Sequence, residues 1–504
     1  MKVLLVHPPF DILKTEAKKC HPPLGLAYLA AILKDGHEVT ALDALAEGYD
    51  KEEAISGDHI RYGLSFDEIR TRIEGAKPDA VGVSSLFSTQ ALNAHKICRI
   101  AKAIDGKIIT VVGGAHPSAV PLEVMKDDDV DFVVIGEGEM VLKGLLERLE
   151  SGKPVKDLEG LAFREEGRVR INPRRDYYED LDALPFPRWD IFPLERYFKI
   201  NNPHGSPARK VPFMPVITSR GCPFECIFCS IYNVWGRKYR KRSAENVLAE
   251  ITHLIDKYGV KEILFEDDNL TLDKERAKRI FQGMIDRDLG LVWNVPNGVA
   301  VQTLDDEVLQ LMKRSGCYSI SIGVESGDEY ILKNVIKKPI DLSSVKPVIR
   351  KARALGLETS VFFVVGLPDE KIENMRNTFR FAESLQADNI NFFFATPLPG
   401  TRLQERCMEL GLLDEKADYS KLRSEYPSFT TSAFSRDELI SLVLRERLKL
   451  YFLSLLMDPK NFLKKFMGKL LKNPVYFKKF WLKYLRIRQG GRYLKTKTGD
   501  NVRI

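Results

Sequence analysis

Short apolar runs alternate with stretches of helical periodicity along most of this chain. In the first 150 residues the runs Lys2–Val6, Glu38–Leu42, Ala80–Ser84, Ile108–Val112 and Phe132–Ile135 read as buried strands. Segments such as HPPLGLAYLAAILKDG follow most of them with the spacing of a helix packed on a sheet. Near-continuous apolar strands separated by helices predict a parallel, doubly wound sheet. A second βα series begins at Val216-Ile217-Thr218 and continues through Glu262–Phe265, Ser319–Gly323, Thr359–Val365 and Asn389–Phe394. Between the two series, periodicity weakens and prolines accumulate, as in an ordered connector with aromatic anchors. After residue 411 the strands stop, and Ser435–Arg488 reads as helical, basic and aromatic.

Composition refines this picture. At 504 residues, with 44% hydrophobic and 29% charged residues, the chain has material for several folded units rather than for a disordered or fibrous protein. The opening run VLLV is stopped by His7, Pro8 and Pro9, which suits a buried strand better than a signal peptide. No stretch approaches the roughly 18 uninterrupted apolar residues of a membrane span. Residues 441–504 hold 17 Lys and Arg against three acids; in a chain of net charge +7 this leaves −7 for the rest. Basicity therefore belongs to the tail.

Three of the seven cysteines, Cys222, Cys226 and Cys229, lie within eight positions in RGCPFECIFCS. Such bunching argues for ligation in a reducing, cytoplasmic setting rather than a disulfide framework. The loop follows the strand VITS and can wrap a cubane so that three thiolates hold three irons, the fourth iron staying open. A zinc site is the alternative, but a closed one needs a fourth ligand, and only His204 lies within twenty residues. Cys20, Cys98, Cys317 and Cys407 lack ligand spacing and read as small buried hydrophobes.

A CxxxCxxC loop after the first strand of a βα series resembles the radical S-adenosylmethionine superfamily. That resemblance implies a [4Fe-4S] cluster whose open iron holds the methionine amine and carboxylate and drives cleavage to a 5′-deoxyadenosyl radical. It assigns Phe228 to the adenine. FEDDNLT at Phe265–Thr271 stands where relatives hold the methionine amine but lacks their glycines, so Glu266, Asp267 or Asp268 would supply the carboxylate, Asp267 and Asp268 above all. Glu325 and Ser326 in GVESG match positions that contact the ribose or carboxylate, and Gly366 in VVGLPDE matches the fifth-strand glycine. Gly366, and Gly400 in TPLPGT, serve equally well as turn glycines.

The leading sheet narrows the resemblance to the cobalamin-dependent class. Ligands bind beyond the carboxyl ends of such strands, where Pro8, Pro9, Ser84, Ser85, Gly113, Gly114, Gly136, Glu137 and Gly138 fall. The D-x-H-x-x-G loop of many cobalamin proteins is absent, so no cobalt-ligating histidine is expected from it. His7, His21 and His116 fall in loops facing the corrin, whereas His37, His59, His95, His204 and His253 read as surface or loop residues. The resemblance implies an α/β chain: a flavodoxin/Rossmann-like cobalamin-binding domain (1–150), a connector (151–210), a radical S-adenosylmethionine partial (β/α)6 barrel (211–410) and a helical basic region (411–504). The expected activity is methylation of an unactivated carbon of a small molecule or lipid, with cyclisation or ring rearrangement, or a sensor without turnover, as alternatives. Partners would be that substrate and an electron donor such as flavodoxin or ferredoxin. The tail, with aromatics among lysines, suits peripheral membrane contact or packing on the barrel; no stacking module supports nucleic acid.

Overall fold

The structure, a computed structural model, describes residues 1–14, 16–57, 59–413, 419, 422–457 and 459. Its first sheet has seven strands in the order Arg168–Asn172, Leu161–Glu165, Phe132–Val134, Ile109–Gly113, Ala80–Ser84, Lys2–His7 and Glu38–Asp43. The last five of these pair in parallel. Numbered along the chain, those five stand in the flavodoxin-like order 2-1-3-4-5, which places the topological switch between Lys2–His7 and Ala80–Ser84. Leu4, Leu5, Val6, Val81 and Val83 are buried, because helices cover both faces.

Two outcomes differ from the sequence pattern. The stretch expected as a connector adds the antiparallel strands Leu161–Glu165 and Arg168–Asn172 to the edge of the first sheet. Short and polar on its outer strand, this hairpin carries little apolar signal. The second sheet holds six parallel strands, Phe213–Val216, Glu262–Phe265, Val292–Val299, Cys317–Glu325, Glu358–Val365 and Asn389–Phe394, in chain order. Val292–Val299 escapes a periodicity search because Pro296 and Gly298 interrupt it, and its register indeed shifts between Val295 and Val299. The sheet is an open partial barrel with Trp293 fully buried in its core, stacked on Phe281 at 5.0 Å and edge-on to Phe265 at 5.2 Å.

The helix Arg436–Met457 packs across the barrel mouth. Its Leu439 lies where a Cβ on Gly366 would fall, 2.4 Å from Leu439 Cδ2, and Gly366 has φ +79°. Gly366 is thus required by chain packing, as the turn-glycine reading expects. The rest of the expected helix, and the aromatic basic tail on which membrane contact was expected, fall outside the described residues. Among the described residues no helix is long and apolar enough to cross a membrane.

Beside that turn Glu370 is fully buried, accepting from the Gly366 and Leu367 amides at 2.7 and 3.1 Å, while its Oε1 has no partner among the described residues. Burial pushes its carboxyl up to about 8 from 4.5. The folded chain then holds a proton that the unfolded chain releases, so stability is lost as pH rises from about 4.5 to about 8. Glu370→Gln should flatten that dependence. The expected result is an unfolding midpoint at pH 8 raised by about 2–4 °C for each kcal/mol recovered, with no change near pH 4.5, measured by calorimetry.

Candidate active site

A cavity of about 1980 Å³ lies between the two sheets and under the helix Arg436–Met457. Ser84, Gly113, Gly114, Gly136 and Gly138 line it from the first sheet, as do His7 and His21. Glu266, Asp268 and Asn297 line it from the barrel, and Asp437, Ile440, Ser441 and Leu444 from one face of the C-terminal helix. A Cβ added at Gly113 would meet only Val134, at 3.7 Å, so this strand end stays open to a flat ligand. Gly114 answers a different need: it has φ +123°, and its Cβ would lie 2.6 Å from Ser85 O.

The remaining expected cobalamin residues divide. Pro8, Pro9 and Ser85 are buried and do not line the cavity. Asn93 Nδ2 donates to Pro9 O at 3.0 Å, and the Ser85 amide donates to Gly113 O at 2.7 Å, so both positions join elements of the sheet. Glu137 reaches the cavity wall, but its carboxylate accepts from Arg220 at 2.8 Å, from Arg240 at 2.8 and 2.9 Å, and from the Tyr178 amide at 3.1 Å. His116 donates to or accepts from Ser88 Oγ at 3.0 Å, with burial holding its imidazole down at about 4. His7 is held at 3.1 Å by Asp43, whose other oxygen accepts from Tyr197 at 2.6 Å.

Cys222, Cys226 and Cys229 are free, half-buried and carried on one loop. Neighbouring chain pins that loop at its centre: the Ile227 amide donates to Ile336 O at 3.1 Å, and Ile227 O accepts from the Leu403 amide at 2.8 Å. Burial pushes the Cys226 thiol up to about 12 and Cys229 to about 11. Among the described residues no three His, Cys, Asp or Glu side chains converge as ligands of a single ion. Three thiols on one wrapped loop suit a cluster with one open iron.

Extended backbone after Glu262–Phe265 sends alternate side chains to opposite sides. Asp267 points inward, accepting from Thr218 N at 3.1 and 3.2 Å, Thr218 Oγ1 at 2.6 Å and Ser219 Oγ at 2.5 Å; it ties the first two barrel strands together. Asp268 faces the cavity beside the cysteine loop, with Oδ2 buried and unpartnered among the described residues. Burial, then the neighbouring Asp267, push its carboxyl up to about 7. Ser326 is likewise turned away, bonded to Thr378 Oγ1 at 3.0 Å and to the Asp328 amide at 3.1 Å. Glu325, at φ +71°, binds Lys338 Nζ at 2.7 Å. Phe228 packs against the barrel core.

The match to known families agrees with this layout. Residues 11–146 match the B12 binding domain model and residues 216–382 the radical SAM superfamily model. The cytidylyl-2-hydroxyethylphosphonate methyltransferase of Streptomyces wedmorensis is 35% identical over 82% of this chain and 83% of its own. The chain belongs to the cobalamin-dependent radical S-adenosylmethionine enzymes. Another relative, the anaerobic magnesium-protoporphyrin IX monomethyl ester cyclase of Rubrivivax gelatinosus, is 31% identical over 88% of this chain and 76% of its own. In fold, the chain resembles the cobalamin-dependent radical enzyme OxsB, at TM-score 0.70 and 17% identity over 96% of this chain and 72% of that one. TsrM of Kitasatospora setae gives TM-score 0.66 and 20% identity, over 83% and 81%.

As a cobalamin-dependent radical enzyme the chain uses cobalamin, a [4Fe-4S] cluster and S-adenosylmethionine. Residues that sequence reasoning missed join these sites. Arg220, two positions before Cys222, binds Glu137 and Glu139 at 2.8 and 2.6 Å and lies over the rings of Trp235 and Tyr28 at 4.7 and 5.2 Å. Although burial opposes ionisation of Glu139, the Arg220 guanidinium holds it below the usual carboxylate range. Lys338 is a second omission: it bonds Glu325 and Gly323 O, both at 2.7 Å, and its charge reaches Cys226. Neither residue sits in a recognisable spacing, because each partner is far away in sequence.

Proposed function

We propose that this chain is a methyltransferase that places a methyl group on an unactivated carbon of a small, largely apolar molecule. Residues 1–150 would present cobalamin, 211–410 the cluster and S-adenosylmethionine, and the helix Arg436–Met457 would close the substrate space. The observation that supports this most is a single cavity running from Gly113 to Asp268, walled by Ile217, Ile231, Val234, Ile440 and Leu444. A methyl donor and a hydrogen-abstracting site opening on one apolar space suit a substrate carbon that must meet both in turn.

When bound, the cluster and S-adenosylmethionine supply a 5′-deoxyadenosyl radical, and cobalamin supplies the methyl group. Cys222, Cys226 and Cys229 would hold the three irons. Asp268, through its unpartnered oxygen, would accept from the methionine amine, while Lys338, with Glu325, would face the carboxylate end; Phe228 would lie by the adenine. Gly113, Gly114, Gly136, Gly138 and Ser84 would floor the corrin. The apolar walls keep water from the reacting carbon. Reduction of the cluster calls for a one-electron donor such as flavodoxin or ferredoxin.

Methyl transfer predicts that label from the S-adenosylmethionine methyl group enters the product. Mass spectrometry of product formed from substrate-containing extract checks this. Product without label would instead favour the ring-forming chemistry named for the Rubrivivax gelatinosus relative.

A further inference from the structure

The apolar cavity has one polar corner built from three distant parts of the chain. His21 comes from the loop before the first helix, His204 from the segment ahead of the barrel, and Glu266 and Asn297 from the ends of two barrel strands; all four line the cavity. Glu266 Oε2 accepts from Asn297 Nδ2 at 3.1 Å and lies 3.4 Å from His204 Nδ1. Glu266 Oε1 is left over: His21 Nε2 stands 3.9 Å away, beyond hydrogen-bonding distance. Glu266 Oε1 and His21 Nδ1 are both buried and have no partner among the described residues. Asp268, two residues on, points into the same cavity, while Asp267 between them turns inward.

We propose that this corner binds an uncharged hydroxyl group of the substrate, and so selects hydroxyl-bearing apolar molecules and sets which of their carbons faces the radical. The proposal rests on the radical reading above and deepens it. The charges around the corner argue for a neutral group. An anion would meet the Glu266 carboxylate. Lys19, which lines the same cavity, adds a positive charge to this wall, its Nζ bound to Gly205 O at 2.6 Å and Asn202 Oδ1 at 3.1 Å. A hydroxyl between Glu266 Oε1 and His21 Nε2, which stand 3.9 Å apart, can donate to the first and exchange a hydrogen bond with the second, which satisfies Glu266 Oε1. The walls named above take the hydrocarbon.

The test is binding of three probes that share one cyclohexane ring to the holoenzyme with cluster, cobalamin and S-adenosylmethionine: cis-cyclohexane-1,2-diol, cyclohexanecarboxylate and cyclohexylammonium, titrated by saturation-transfer NMR. The wild type is expected to bind the diol and neither ion. His21→Phe and Glu266→Gln, both close in shape to the native side chains and checked for folding by near-ultraviolet circular dichroism, should weaken diol binding about tenfold, the loss of one good hydrogen bond. An unchanged Kd in both variants overturns the proposal, as does tighter binding of the carboxylate or ammonium. Formation of 5′-deoxyadenosine by the reduced wild type is measured in parallel. If it forms while the diol fails these criteria, only the hydroxyl site falls; if it does not form, the radical reading falls and takes the hydroxyl site with it.

Discussion

Cys226→Ala is expected to reduce 5′-deoxyadenosine formation to background in anaerobically reconstituted, reduced protein, while cobalamin remains bound. Cys226 is the middle thiol of a loop whose neighbour Ile227 is pinned on both sides by Ile336 and Leu403. Those bonds are backbone to backbone, so alanine leaves the loop in place and removes only a thiolate. Two thiols are then left on the loop, and Cys20, Cys98, Cys317 and Cys407 are buried elsewhere in the chain. Liquid chromatography with mass spectrometry reads the nucleoside, and iron content with cobalamin absorbance reads the two sites separately. Equal yields from wild type and variant would remove the cluster assignment.

The second large effect is expected at Glu137. Glu137→Ala leaves Arg220 and Arg240, both about 3% exposed, without the carboxylate that neutralises them. Breaking a buried pair by deleting one partner costs about 3–5 kcal/mol, because the remaining charge stays buried. Three guanidiniums share this carboxylate, Arg174 Nη2 lying 3.6 Å from Glu137 Oε2 as the third, although Glu139 retains part of the pairing with Arg220 at 2.6 Å. The expected result is a loss of stability in that range by denaturant unfolding. Substituting the group together, Glu137→Met and Glu139→Met with Arg220→Met and Arg240→Met, should recover much of it, since apolar replacement of a whole buried ion group is often close to neutral. A single variant as stable as the wild type would show the network to be dispensable. The pairing also joins the first sheet to the residue two places before Cys222, so the single variant should lose cluster content sooner than cobalamin affinity.

How far the sequence reaches is clearest at the loop Glu266-Asp267-Asp268. Its composition announces a carboxylate site after a strand, and the pattern leaves open which residue serves. In the fold Asp267 is consumed by Thr218 and Ser219, Asp268 is left with a buried free oxygen, and Glu266 turns to a separate corner. Glu325 and Ser326 divide the same way, one meeting Lys338 in the site and the other bonded to Thr378 behind it. Gly366, matched to a cofactor position by its surroundings in sequence, proves to be space for Leu439. His204, read as a loop residue, lines the cavity.

By itself the sequence determined what is local in the chain: the parallel strands through their apolar runs, the cysteine loop through its spacing, and small residues at strand ends through their composition. Hydrophobic periodicity and ligand spacing are properties of neighbouring residues, so one chain suffices to show them. Only the tertiary structure decided which of two adjacent side chains faces the cavity, that Glu137 is bound to arginines 83 and 103 residues away, and that the helix Arg436–Met457 lines the cavity. Those outcomes depend on which surfaces pack together, and burial of a charge is tolerated only where packing brings its partner. The cysteine loop was legible from the start; what it faces was settled by the fold.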